Sequence, residues 1–200
     1  MNTRRMVQFF FFVGLFGCAS SGVVNSQQEA PPVGIVTVGA PTFQVGNFWR
    51  YKYLNRDGGF SSTIRDVVSD KVIISPEIVW SKEGNLISGF GTVTGKAVTY
   101  NPYIPRLQFP LWVGKEWRVS YAASWDSGSE YATLHVKVVG KEKVVVPAGT
   151  FEALGLEMRF SSGNQESCWY AEEVKRFIKC KYSDPLRDYE LVSFRLRPLF

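Results

Sequence analysis

Two hundred residues make one domain's length of chain, enough to bury a core of its own. Aromatics supply 15% of them, with fifteen Phe, nine Tyr and six Trp, which favours strands over helices and excludes a disordered chain. The pair Cys168 and Cys180 would need further ligands to hold a zinc ion and the chain has a single histidine, so a zinc site is not expected; the charge of +5 falls to +3 without residues 1–17, leaving 21 basic against 18 acidic residues, too mild a bias to argue for nucleic acid.

Residues 1–17 read differently from the rest. Arg4-Arg5 precede the apolar run Val7-Gln8-Phe9-Phe10-Phe11-Phe12-Val13-Gly14-Leu15-Phe16, and Gly17 then leads to Cys18. A basic start, a short apolar run and a small residue predict a secretory signal peptide. The run is about ten residues where a membrane-crossing helix needs about twenty, so export is expected rather than a permanent span. Leu15-Phe16-Gly17-Cys18 resembles the lipobox of bacterial lipoproteins, with Phe16 bulkier than the usual residue. The resemblance implies an acylated Cys18 as mature N-terminus, held by two or more chains where one holds only marginally. Simple secretion with an incidental cysteine is the alternative. Ala19 and Ser20, with no Asp after the cysteine, resemble the sorting signal for the outer membrane, which implies attachment at its periplasmic face.

Residues 18–40 carry Ser, Gly, Val, Gln and Pro with one charge, Glu29, and no periodic pattern. They read as the lipidated cysteine and a flexible tether. The folded domain is expected over 41–200. Near its start Val45-Gly46-Asn47-Phe48-Trp49-Arg50 recurs as Val113-Gly114-Lys115-Glu116-Trp117-Arg118, the pattern V-G-x-x-W-R twice, 68 residues apart. Each copy precedes an alternating strand, so one sheet entered twice by the same corner and chance reuse of a good corner are both open readings. Between the copies, strands are expected at 61–68, 71–75, 78–81, 86–94 and 97–100, separated by turn residues. The segment 101–110 holds three prolines among apolar residues, which excludes a central strand and predicts a lip packed over the sheet or beside a cavity.

Further strands are expected at 132–139, 166–170, 177–182 and 189–197. The chain is organised by the hairpin Val144-Val145-Val146-Pro147-Ala148-Gly149-Thr150-Phe151, where Pro147 presets a turn φ and Gly149 is free to take φ > 0. The sum is about eleven strands in one domain, mainly β with little helix: a curved antiparallel sheet or incomplete β-barrel. The hairpin, followed by Trp169-Tyr170-Ala171-Glu172-Glu173-Val174, resembles the carboxy-terminal half of the uncharacterised TapB and DUF3108-like envelope proteins, themselves similar to the half-barrels of lipoprotein-localisation factors. Lys175 stands where that group often has a glycine. The resemblance implies a concave apolar face and brings no catalytic residues.

If 171–176 holds a turn, Tyr170 pairs with Ile178 and Cys168 with Cys180, all on one face, so a cross-strand disulfide is expected in an oxidising compartment. His135 shares its face with Thr133 and Lys137 and reads as a surface histidine, with no second histidine for a catalytic triad. Glu172-Glu173 and the pair Asp126 and Glu130 sit in turn-like sequence, where carboxylates are ordinary. No metal, cofactor or catalytic group is therefore expected. Candidate ligand contacts are Trp49, Tyr51, Tyr53, Trp117 and Tyr121, with Trp125 and Tyr131 as further groove aromatics. The lip adds Tyr103, Ile104, Leu107 and Phe109. Set against this is the reading that most of these are core aromatics. The function expected is a non-enzymatic, lipid-anchored envelope protein binding an apolar ligand such as an acyl chain. An assembly lipoprotein that binds a partner protein is the alternative, and an envelope hydrolase the third.

Overall fold

The computed structural model describes residues 30–90 and 95–198, so the leader, Cys18, the first part of the tether and the end of the 86–94 strand lie outside it. Seven strands precede the lip: β1 (Phe48–Tyr53), β2 (Gly59–Thr63), β3 (Asp66–Val68), β4 (Lys71–Ile73), β5 (Val79–Ser81), β6 (Leu86–Phe90) and β7 (Ala97–Asn101). Six follow it: β8 (Glu116–Trp125), β9 (Gly128–Val146), β10 (Gly149–Phe160), β11 (Gln165–Ala171), β12 (Arg176–Tyr182) and β13 (Tyr189–Arg195). They make one antiparallel sheet, and the described residues hold no α-helix, only the 3₁₀ turn Pro185–Arg187.

From β3 to β13 the sheet follows chain order, and β1 returns to pair with β13, which leaves β2 and β3 at opposite edges. Laid flat, those edges would stand about 58 Å apart, twelve spacings of about 4.8 Å. Only Ile64 and Arg65 connect them, a link that reaches about 11 Å. The sheet therefore has to curl until its edges approach. Across this link the ladder changes partner: Ile64 N donates to Asn47 O at 2.9 Å and Arg65 N to Ile73 O at 2.8 Å. The expected 61–68 strand is thus two strands, one on each edge, and the sheet has thirteen strands rather than about eleven. Conversely, the strand expected at 132–139 and the hairpin arm that ends in Val144-Val145-Val146 are one, β9, with an irregularity opposite Gly155 and Leu156.

Each face of the curled sheet has its own core. On β10 the alternation sends Leu154, Leu156 and Met158 into a first core with Trp117, Leu134 and Tyr170, and Phe151 and Ala153 into a second with Trp49, Val146 and Leu191. The bulge in β9 reverses its phase, so that Leu134, Val136 and Val138 serve the first core while Val144 and Val146 serve the second. The β9–β10 hairpin sits mid-sheet and touches both cores, and at its tip Ala148 N donates to Leu191 O at 3.2 Å.

The V-G-x-x-W-R copies are one corner built twice. Gly46 and Gly114 have φ of +84° and +95°, the left-handed conformation that the third position of such a turn requires and only glycine adopts freely. Asn47 N closes the first turn on Gln44 O at 3.0 Å and Lys115 N the second on Trp112 O at 3.1 Å. The returning strand is bound identically: Gly46 N donates to Ile64 O and Ile64 N to Asn47 O, as Gly114 N does to Val138 O and Val138 N to Lys115 O, all at 2.8–2.9 Å. Trp49 and Trp117 are both buried, each donating its indole N–H at 2.9 Å to a backbone carbonyl of a covering turn or loop, Val174 and Pro105 respectively.

The likeness extends to the turns before β6 and β12. A register shift falls between Val79 and Trp80 in the one and between Trp169 and Tyr170 in the other. The second shift corrects one expected pairing. Tyr170 lies opposite Phe177, not Ile178, and Ile178 faces the second core while Cys168, Tyr170 and Cys180 face the first. Cys168 and Cys180 are cross-strand partners joined by a disulfide. Lys175 has φ +62°, a conformation that glycine takes more readily.

Candidate functional site

The lip is fixed at several points. Asn85 bonds Leu107 twice, its Nδ2 donating to Leu107 O at 2.8 Å and its Oδ1 accepting from Leu107 N at 2.9 Å. Lys115 is buried and donates from Nζ to the carbonyls of Gln108 and of Pro110, the latter at 2.8 Å, while resting against Trp112. Ile104, Leu107 and Phe109 enter the first core, so the prolines shape an apolar flap held onto the sheet.

Beside this flap lies a cavity of about 510 Å³, within the usual range for small-molecule sites. Strands β6 to β10 supply an apolar wall that includes Leu86, Val98, Ala123, Ala132 and Phe160. Aromatic surface comes from Phe90, Tyr100, Tyr121 and Trp125, and the lip contributes Ile104 and Arg106. Alternation explains the choice on β8: Tyr121, Ala123 and Trp125 point inward while Ala122 and Ser124 do not line it.

The polar part of the wall is uneven. Arg106 Nη2 donates to Glu166 Oε1 at 2.7 Å, with the carboxylate side chain only 4% exposed. Arg106 Nε and Glu166 Oε2 are buried with no partner among the described residues. A buried ion pair costs desolvation that its own attraction offsets only in part, so this pair is weak evidence for stability. Lys96, Glu130 and Arg187 complete the charged lining. Burial pushes the Tyr121 hydroxyl up to about 12, against the lowering influence of Arg106. Tyr100 is raised by the same cause, with Arg106 and Arg187 opposing it. Both stay protonated at neutral pH, as hydroxyl donors on a mainly apolar wall.

Of the candidates named from sequence, Ile104, Tyr121 and Trp125 line this cavity. Tyr103 lines a separate cleft with Glu83 and Asn101, and Tyr51 faces another at the β1–β2 edge. Trp49, Leu107, Phe109 and Trp117 are core residues. Tyr53 is half-buried under the Arg56 guanidinium, 3.6 Å from its ring centre, and Tyr131 is exposed on the outside. Arg106, Glu166 and Arg187 carried no motif, because their meeting depends on a lip, a strand and a 3₁₀ turn up to 81 residues apart (187 − 106). His135 is a surface residue, its Nε2 2.6 Å from Glu116 Oε1. Glu130 is on the cavity wall, whereas Glu172 and Glu173 are exposed beside a shallow cleft with Lys141 and Glu152.

No family model matches the chain, and no curated protein matches it. Solved structures do. A candidate exported protein with a YmcC-like fold from Bacteroides fragilis matches at 14% identity over 80% of this chain and all of its own, with a TM-score of 0.43. A candidate lipoprotein from Parabacteroides distasonis matches at 11% identity over 80% of this chain and all of its own, TM-score 0.39. The hypothetical lipoprotein YmcC from Escherichia coli matches at 10% identity over 79% of this chain and 92% of its own, TM-score 0.41. Superpositions this loose carry no argument about the site.

Proposed function

We propose that this chain is an exported, lipid-anchored protein of the bacterial envelope that holds an apolar or amphipathic ligand beside the 101–110 lip without altering it chemically. The observation that carries the reading is the 510 Å³ cavity, walled by five strands and the lip and rich in aromatic and aliphatic surface. The leader and the Leu15-Phe16-Gly17-Cys18 motif supply the address, and Ala19-Ser20 favours the outer membrane. The TapB-like resemblance adds a curved sheet with an apolar inner face.

A second reading has its own observation. Val33 and Val36 are exposed, and the antiparallel bridge between Val38 and Leu111 brings their arm beside the exposed Val113. An apolar patch there suits a partner protein in an envelope assembly.

Both cores draw on residues from Val38 onward, so residues 25–200 hold the whole described fold. Native mass spectrometry of that fragment, exported behind a cleavable leader and purified without detergent, tests the cavity reading. A stoichiometric apolar adduct, released by solvent, is expected. An empty mass, with no uptake of added amphiphile, overturns the reading in favour of the partner-binding one. Incorporation of labelled palmitate into the full chain, abolished by Cys18→Ser, tests the anchor.

A further inference from the structure

The cavity wall has chemistry that a purely apolar ligand would not use. Three cations, Lys96, Arg106 and Arg187, face it against two carboxylates, Glu130 and Glu166. Arg106 is engaged by Glu166 at 2.7 Å, so its charge is already answered. Arg187 differs. Its guanidinium lies 4.4 Å from the Tyr182 ring centre and has no carboxylate partner among the described residues.

The 3₁₀ turn fixes that position. Asp184 caps it by accepting from Leu186 N at 3.1 Å, and Asp188 closes it by donating from N to Pro185 O at 3.1 Å. Asp188 Oδ1 also accepts from Tyr182 N at 2.8 Å, tying the turn to the end of β12. Its Oδ2 accepts from Asn55 Nδ2 at 3.3 Å, so Asp188 is spent on Tyr182 N and Asn55 rather than on Arg187. A guanidinium packed over a ring makes no hydrogen bond to it and keeps its donors available, and the planar fork matches carboxylate and phosphate oxygens.

We propose that Arg187 reads an anionic head group, so that the ligand is a single-chain anionic amphiphile with its chain along the Phe90, Val98 and Phe160 wall. This rests on the cavity reading and sharpens it. The exposed Glu130 on the same wall penalises a second negative charge, which favours one acidic group over a cluster of them.

The test compares one chain length with three heads on residues 25–200 freed of bound lipid: dodecanoate and dodecyltrimethylammonium below their micelle concentrations and dodecanol below its solubility limit, followed by calorimetry. Dodecanoate is expected to bind about tenfold tighter than the alcohol, a ratio worth about 1.4 kcal/mol. Dodecyltrimethylammonium is expected to bind weakest. Arg187→Gln should remove the preference, weakening dodecanoate far more than dodecanol, and Arg187→Lys should restore part of it. Unaltered thermal unfolding of both variants excludes a folding defect. Equal binding of the three heads, or an Arg187→Gln variant that keeps the preference, overturns the head-group assignment while the cavity reading stands. Binding of none overturns both.

Discussion

The corners at 45–50 and 113–118 share a turn, a return bond and a buried tryptophan, yet they end over different ground. The first closes onto a filled core. Trp49 reaches the carbonyl of Val174 in the turn before β12, and beyond it Tyr51, Phe60 and Tyr189 pack with ring centres 4.8–5.1 Å apart. The second closes onto the lip. Trp117 reaches Pro105, between Ile104 and Arg106, which wall the cavity. The same local code therefore supports a packed aromatic stack at the β1–β2 edge in one place and a cavity rim in the other. What differs is the covering segment, supplied by a distant part of the chain.

Alkali should break both regions, with the largest effect of any treatment. Burial raises Tyr51 to about 12 and Tyr189 well above its usual value on the filled side, and Tyr121 to about 12 on the cavity side. Each binds its proton more tightly folded than unfolded, so the stability it confers is complete below pH about 10 and falls as pH rises through its folded value. Urea unfolding is expected to show no tyrosine-linked loss between pH 7 and 9 and a steep loss from pH about 10.5. Absorbance near 295 nm should show these hydroxyls titrating late, in step with unfolding.

Truncating the tryptophans compares the corners directly. Trp49→Ala and Trp117→Ala should each cost about 3–5 kcal/mol in chemical denaturation, since both are buried and hydrogen-bonded. The milder Trp117→Phe should loosen the lip and raise hydrogen exchange at 104–108, whereas Trp49→Phe should loosen 172–175 and spare the lip.

The disulfide is next, at about 3 kcal/mol in the chain-entropy model for a separation of twelve residues. It lies in the first core, so Cys168→Ala with Cys180→Ala should raise hydrogen exchange around β11 and β12 more than around β1 and β2.

Swapping the variable third position of the motif should give an unequal result. Lys115→Met strips the lip carbonyls of Gln108 and Pro110 of a charged donor, at a cost of about 2 kcal/mol. Asn47→Leu should cost less, because Asn47 Nδ2 has no partner among the described residues and Oδ1 accepts only a 3.4 Å bond from Arg197 N. Equal costs would mean that Lys115 does not fasten the lip.

The smallest difference is between the glycines. Both alanine variants pay about 1 kcal/mol for a left-handed φ. A Cβ on Gly46 would also come within 3.1 Å of Arg197 Nε, while one on Gly114 meets open space, so Gly46→Ala should unfold slightly earlier.

Local physics made much of this legible in sequence. Alternation in Trp49-Arg50-Tyr51-Lys52-Tyr53 places the aromatics inward and the cations outward, because side chains on a strand alternate whatever lies above them. Pro147 and Gly149 marked one turn, and Cys168 and Cys180 could be paired by counting outward from another, at 171–176. Counting failed where bulges shift the phase, at Trp169-Tyr170 and in β9, since one extra residue exchanges faces without a distinct residue type to announce it.

The sequence by itself determined a β domain, its corners, its central hairpin and an apolar lip, because each follows from contacts within a few residues. Only the tertiary structure decided that β2 and β3 are the two edges of one sheet, that Phe109 fills the core while neighbouring Ile104 reaches the cavity wall, and that Arg106, Glu166 and Arg187 share a cavity. Those outcomes depend on how far thirteen strands curl, a property of the whole sheet that no short stretch of chain encodes.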